Sequence, residues 1–108
     1  MNVEQYQLET QETAIYPTAQ GITYCALGLV SEAGEVAGIV KKVIRDSGGV
    51  YTTEVQSKLK KEVGDNLWYI SQLCNEFGWS MGDLMAENIN KLKDRKNRGV
   101  LSGSGDNR

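Results

Sequence analysis

Gly28-Leu29-Val30-Ser31-Glu32-Ala33-Gly34-Glu35-Val36-Ala37-Gly38-Ile39-Val40 decides how this chain is read. From Thr13 to Val40 its only formal charges are Glu32 and Glu35. Residues i and i+3 share a helix face, so the spacing predicts two carboxylates side by side on a helix that is otherwise apolar or small. No Lys or Arg lies within four residues of either acid. Like charges in an apolar segment are costly unless a cation from elsewhere sits between them. The pair is therefore a candidate site.

A second stretch answers the first. Lys61-Glu62-Val63-Gly64-Asp65-Asn66-Leu67-Trp68-Tyr69-Ile70 repeats acid-x-x-acid and runs into residues without charge as far as Asn75. With 14 acids in 108 residues, chance alone supplies about two such pairs. A third pair, Glu9 and Glu12, lies in a polar run. The inner pairs differ in their apolar, glycine-containing surroundings. Lys58 and Lys61 stand four residues before Glu62 and Asp65, so ordinary helix-surface ion pairs are the competing reading for the second pair.

Composition narrows the function classes. A chain of 108 residues fits one domain, small enough that association would help it bury its apolar faces. A net charge of −2 lacks the basic footprint of a protein that binds polymeric nucleic acid. No stretch reads as long and apolar enough for a membrane span, and the N-terminus lacks a signal-peptide pattern, so a cytoplasmic protein is expected. Cys25 and Cys74 are isolated in apolar settings and read as buried thiols. Histidine is absent, which removes His-based acid–base and nucleophile systems and most zinc chemistry. A metal held by carboxylates alone is a hard-ligand site, suited to Mg²⁺ or Mn²⁺.

The hydrophobic pattern is helical throughout. Val3, Tyr6, Leu8 and Ile15 predict a first helix that stops before Pro17. Apolar residues continue from about Ala19 to Arg45, as in a helix buried around most of its girth. Asp46-Ser47-Gly48-Gly49 reads as a loop. Thr53 is the expected cap of a third helix, with Gln56 at the reciprocal position. Val55, Leu59, Val63, Leu67, Ile70, Leu73 and Phe77 keep its period. Gly78 closes it, and Ser80 caps a fourth helix that runs to about Arg98. Residues 99–108 form a glycine-rich C-terminal tail. Gly34, Gly38 and Gly64 sit inside helical patterns at a cost of about 1 kcal/mol each relative to Ala. Small residues beside each acid pair predict a close approach of two helices. The expected fold is all-α: a compact bundle of about four helices with a long antiparallel central pair.

The two motifs in order, separated by the 26 residues from Val36 to Lys61, resemble the MazG-like all-α nucleoside triphosphate pyrophosphohydrolases. The likeness runs from about Tyr24 to Arg98. It includes Ser31-Glu32-Ala33-Gly34-Glu35, the Glu62-x-x-Asp65-x-x-x-Tyr69 run, and a late Asn-x-x-Lys stretch. It implies Mg²⁺-dependent cleavage of (deoxy)nucleoside triphosphates between the α and β phosphates, giving monophosphate and pyrophosphate. It also implies a homodimer or dimer of dimers, with Glu32, Glu35, Glu62 and Asp65 as metal ligands and catalytic acids over 1–98.

Residue chemistry agrees, since four carboxylates would repel a triphosphate without a cation between them. Asn88, Lys91 and Arg95 follow 3- and 4-residue steps on the fourth helix and are candidate substrate contacts, against the alternative of a solvated cationic helix end. Tyr69, one turn after Asp65, is the aromatic residue expected nearest the substrate. Core packing is the competing role for Tyr69, Trp68 and Trp79. A non-catalytic helical interaction protein and a metal-dependent phosphatase releasing the terminal phosphate are the alternative functions.

Overall fold

Each helix begins and ends where local chemistry satisfies its unpaired backbone groups. The computed structural model describes residues 1–108, which form four α-helices and no strands. Helix α1 (Val3–Thr10) opens on a capping box, in which the Gln5 amide donates to Asn2 Oδ1 and the Asn2 amide donates to Gln5 Oε1. It tightens into a 3-10 turn over Gln11–Thr13. Ile15, expected on the apolar face of that helix, is 94% exposed. After a second 3-10 turn at Thr18–Gln20 come α2 (Gly21–Asp46) and α3 (Thr53–Phe77).

The cap of α3 is Thr52 and not Thr53: its Oγ1 accepts the Val55 amide. The loop between α2 and α3 turns on Gly48 and Gly49, with φ of 58° and 81°, values that a Cβ disfavours. Gly78 closes α3 in the left-handed region, and Ser80 Oγ accepts the Asp83 amide to start α4 (Met81–Asn97).

Helices α2 and α3 form the most extensive contact of the molecule. Gly21 lies against Glu76, Gly28 against the Tyr69 ring, and Glu32 beside Asp65 and Glu62. The glycines that permit this approach are Gly21 and Gly28. A Cβ built on either would overlap its neighbour, whereas one on Gly34, Gly38 or Gly64 meets nothing within 4 Å. The expectation for Gly34, Gly38 and Gly64 is thus corrected within the single chain.

Helix α1 packs across α3 through polar groups. Thr10 Oγ1 lies 2.8 Å from Ser71 Oγ and donates to Gln72 Oε1 at 2.9 Å. Gln7 and Asn75 exchange hydrogen bonds, and Tyr16 donates to Glu76 Oε1 at 2.5 Å. Every buried side-chain polar atom has a partner, so this network stabilises the contact without stranding a donor. Cys25 and Cys74 are buried and free.

The bundle is less compact than the sequence suggests. Its radius of gyration is 16.9 Å, against about 13 Å for a compact domain of 100 residues. Only nine of 108 residues are buried. The reason is α4, which packs on α1 and makes little contact with α2 or α3. Its Leu84, Met85, Ile89 and Leu92 remain exposed, as do Leu27, Val30 and Ile44 of α2.

Candidate functional site

One carboxylate from α2 and two from α3 meet where the long helices touch. Single oxygens of Glu32, Glu62 and Asp65 all lie within 4.8 Å of one another. Glu32 and Glu62 are half-buried, and Asp65 is exposed. No ion pair involves any of them. Lys58, the competing partner of Glu62, bridges to Glu54 at 3.4 Å. Burial raises the Glu32 pKa above the ordinary carboxylate value. The hydrogen bond with Glu62 raises it further, as do the charges of Asp65, Glu62 and Glu35. The trio is an acidic knot without a counter-charge.

Glu35 is exposed and lies outside this trio, although its charge still acts on Glu32. Tyr69 stands where its spacing from Asp65 suggests. With Thr13, Glu32, Asp65 and Trp68 it lines an open cavity of about 400 Å³. Burial raises the Tyr69 pKa, and Tyr24 adds to the shift. Trp68 and Tyr69 meet edge to face, with centroids 4.9 Å apart. Tyr6 of α1 is close enough for the Asp65 charge to add to the rise that burial causes in its own pKa.

The fourth helix does not reach the acids within one chain. Asn88 is exposed, and Lys91 pairs with Asp106 of the tail at 3.2 Å. Arg95 is 4% exposed and donates to the Asp106 carbonyl at 2.7 Å and to its carboxylate at 3.2 Å. The tail is held in place. Arg98 donates to the Arg108 carbonyl, and the Arg108 guanidinium donates to the carbonyls of Val100, Leu101 and Gly105. Its lysine and arginine partners hold the Asp106 carboxyl below the ordinary range.

Three of the four acids of the two acid-x-x-acid motifs thus gather where α2 and α3 touch, and the sequence that carries them matches a known domain. Residues 20–100 fit the model of the MazG nucleotide pyrophosphohydrolase domain. The chain belongs to the MazG family. It is also 46% identical over 114 aligned residues, spanning the whole of both chains, to the Gene 37 protein of Mycobacterium phage L5. No solved structure matches. The MazG match takes in α2, α3 and α4 but leaves out α1 and Thr13.

Thr13 and Tyr6 are site neighbours that sequence reasoning missed. They reach the acids only by tertiary folding, from a segment without a motif of its own.

Proposed function

We propose that this chain is a Mg²⁺-dependent nucleoside triphosphate pyrophosphohydrolase, converting (deoxy)nucleoside triphosphates to monophosphate and pyrophosphate. The observation that carries this reading is the meeting of Glu32, Glu62 and Asp65 within 4.8 Å without a neutralising Lys or Arg, in a chain of the MazG family. The donor set fits a hard divalent ion, because it offers carboxylate oxygens only and their mutual repulsion falls when a cation joins them. When bound, Mg²⁺ would supply the positive charge that lets a triphosphate approach four acids and polarises the α phosphorus.

The remaining work belongs to the chain. Glu32, Glu62 and Asp65 hold the site open between α2 and α3, which we take to be an antiparallel pair of the kind that a short loop favours. Glu35 completes the acid set. A carboxylate free of the cation accepts a proton from the attacking water. The water oxygen then bonds to the α phosphorus, and the bond to the α–β bridging oxygen breaks, so that pyrophosphate leaves. Tyr69 borders the space the substrate would fill. Lys91, Arg95 and Asn88 are proposed phosphate and nucleoside contacts once α4 is brought to the acids of a second copy.

Association has its own support. The exposed apolar residues of α4 and α2, and a core of nine buried residues, suit a homodimer or homotetramer. By length and composition α2, with the turn before it from Thr18, could cross a membrane, contrary to the sequence reading. Glu32 and Glu35 midway along it would be expensive in lipid, and a cytoplasmic location is proposed.

Product analysis tests the function. With Mg²⁺, monophosphate plus pyrophosphate is expected, and both should vanish with chelator and in Glu62→Gln. Diphosphate plus phosphate would establish the terminal-phosphate alternative. No product from any common nucleotide would leave the interaction-protein reading.

A further inference from the structure

We infer that Trp68 is the stacking platform for the planar base of the substrate, and that Thr13 is the positioning residue that fixes its ring. The inference rests on the proposed function and names the part of the site that would tell a nucleotide from a bare polyphosphate.

Trp68 Nε1 donates to Thr13 Oγ1 at 2.7 Å across 55 residues of sequence. The same Thr13 hydroxyl donates to the Thr10 carbonyl at 3.2 Å. Its proton and one of its two accepting lone pairs are thus committed. Thr10 in turn is anchored to Ser71 and Gln72 in the buried network that ties α1 to α3. The indole has only this single polar atom. With it engaged, the ring has only its π surface to offer a ligand. Tyr69 packs edge to face on the ring at 83° and 4.9 Å, and Tyr69 is itself seated on Gly28. Trp68 is therefore pinned from two sides, by a hydroxyl at its edge and an aromatic neighbour.

The cavity these groups share has two chemistries. Glu32 and Asp65 supply the charged part, and Trp68 and Tyr69 supply an uncharged aromatic wall. No Lys or Arg lines it. Its volume of about 400 Å³ lies within the usual range for small-molecule sites. A ligand that suits both parts carries phosphates at one end and a flat ring at the other. Stacking tolerates every base, because each has a π face, so this wall selects for a nucleoside more than for one particular base.

The test uses the full chain with Trp79→Phe, which leaves Trp68 as the only tryptophan. The ligands are the α,β-methylene triphosphates of adenosine, guanosine, cytidine and uridine with Mg²⁺. Inorganic triphosphate serves as the base-free probe, with occupancy set by calorimetry. Trp68 fluorescence should be quenched by at least one nucleoside analogue and not by inorganic triphosphate at equal occupancy. Trp68→Leu should weaken nucleoside binding on the order of ten- to a hundredfold. Thr13→Val should weaken it about two- to tenfold, and more than it weakens inorganic triphosphate. Thr13→Ser should restore it.

Equal quenching by both ligand classes, or equal losses for both in Thr13→Val, would overturn the inference. Base-dependent quenching without turnover of any natural nucleotide would sustain it while refuting the hydrolysis. Turnover without base-dependent quenching would do the reverse.

Discussion

Alanine at Gly28 sets two contributions against each other. In the interior of α2 it gains about 1 kcal/mol over glycine from helix propensity. Its methyl would overlap the Tyr69 ring, with Cε1, Cζ and Cδ1 as the nearest atoms. Overpacking of this kind costs about 1–3 kcal/mol. The ring has little room to retreat, since Trp68 stands 4.9 Å from it and Tyr24 6.3 Å, centroid to centroid. The net effect is a loss of up to about 2 kcal/mol. Gly34, further along the same helix, supplies the internal standard. A Cβ there meets nothing within 4 Å, so Gly34→Ala carries the propensity gain alone. The difference between the two variants isolates the steric cost, about 1–3 kcal/mol. At about 4–8 °C per kcal/mol for a domain of this size, their midpoints should differ by at least about 4 °C. Circular dichroism melts at matched concentration measure it. Replacing Tyr69 with Leu in the Gly28→Ala background should recover part of the loss, a coupling that a double-mutant cycle reads directly. If Gly28→Ala melts together with Gly34→Ala, the Tyr69 ring does not lie on Gly28 and the contact that builds the site is wrong.

Without metal, the raised Glu32 pKa means that stability is fully present below the ordinary carboxylate pKa and is lost as pH rises through the raised value. Melting curves from pH 4 to 8 should show this decline, Glu62→Gln should flatten it, and Mg²⁺ at about 100 times its dissociation constant should add about 2.7 kcal/mol to the parent chain but little to Glu62→Gln. Thr10→Val removes a hydroxyl from the buried Ser71–Gln72 network and should cost about 1–3 kcal/mol by urea denaturation. Asp106 has a lowered pKa, so its hold on Lys91 and Arg95 is present at neutral pH and lost as pH falls through that lowered value. Asp106→Asn should loosen the tail at neutral pH, and limited proteolysis there that cuts parent and variant at the same rate would contradict this.

Most of the helical layout was legible in the sequence because its signals are local. Pro17, the Gly48–Gly49 loop, Gly78 and Ser80 act within a turn of themselves. The cap falls on Thr52 and not on the expected Thr53, because two threonines in succession offer the same cap chemistry and only backbone geometry chooses between them. Glu32 was legible as a candidate because an uncompensated charge in an apolar run is a local anomaly, while Glu35, expected beside it, lies outside the trio. What could not be read depended on distant partners. The Thr13–Trp68 hydrogen bond spans 55 residues, and neither residue is anomalous alone. The glycines were misread for the same reason: Gly28 needs its smallness only because Tyr69, from another helix, arrives there. The Asp106 contacts of Lys91 and Arg95 could not be read, because nothing in the pattern announced that the tail would fold back onto them.

The splayed fourth helix has a consequence for dose. With nine residues buried of 108 and the α4 stripe bare, the association proposed above would tie the stability of this chain to its concentration. For a dimer, while the chain is scarce, the assembled form grows with the square of total concentration, so doubling expression quadruples the working population. Once the chain is abundant, output follows expression in simple proportion. In the dimer proposed above, a concentration threshold would thus be built into the architecture itself.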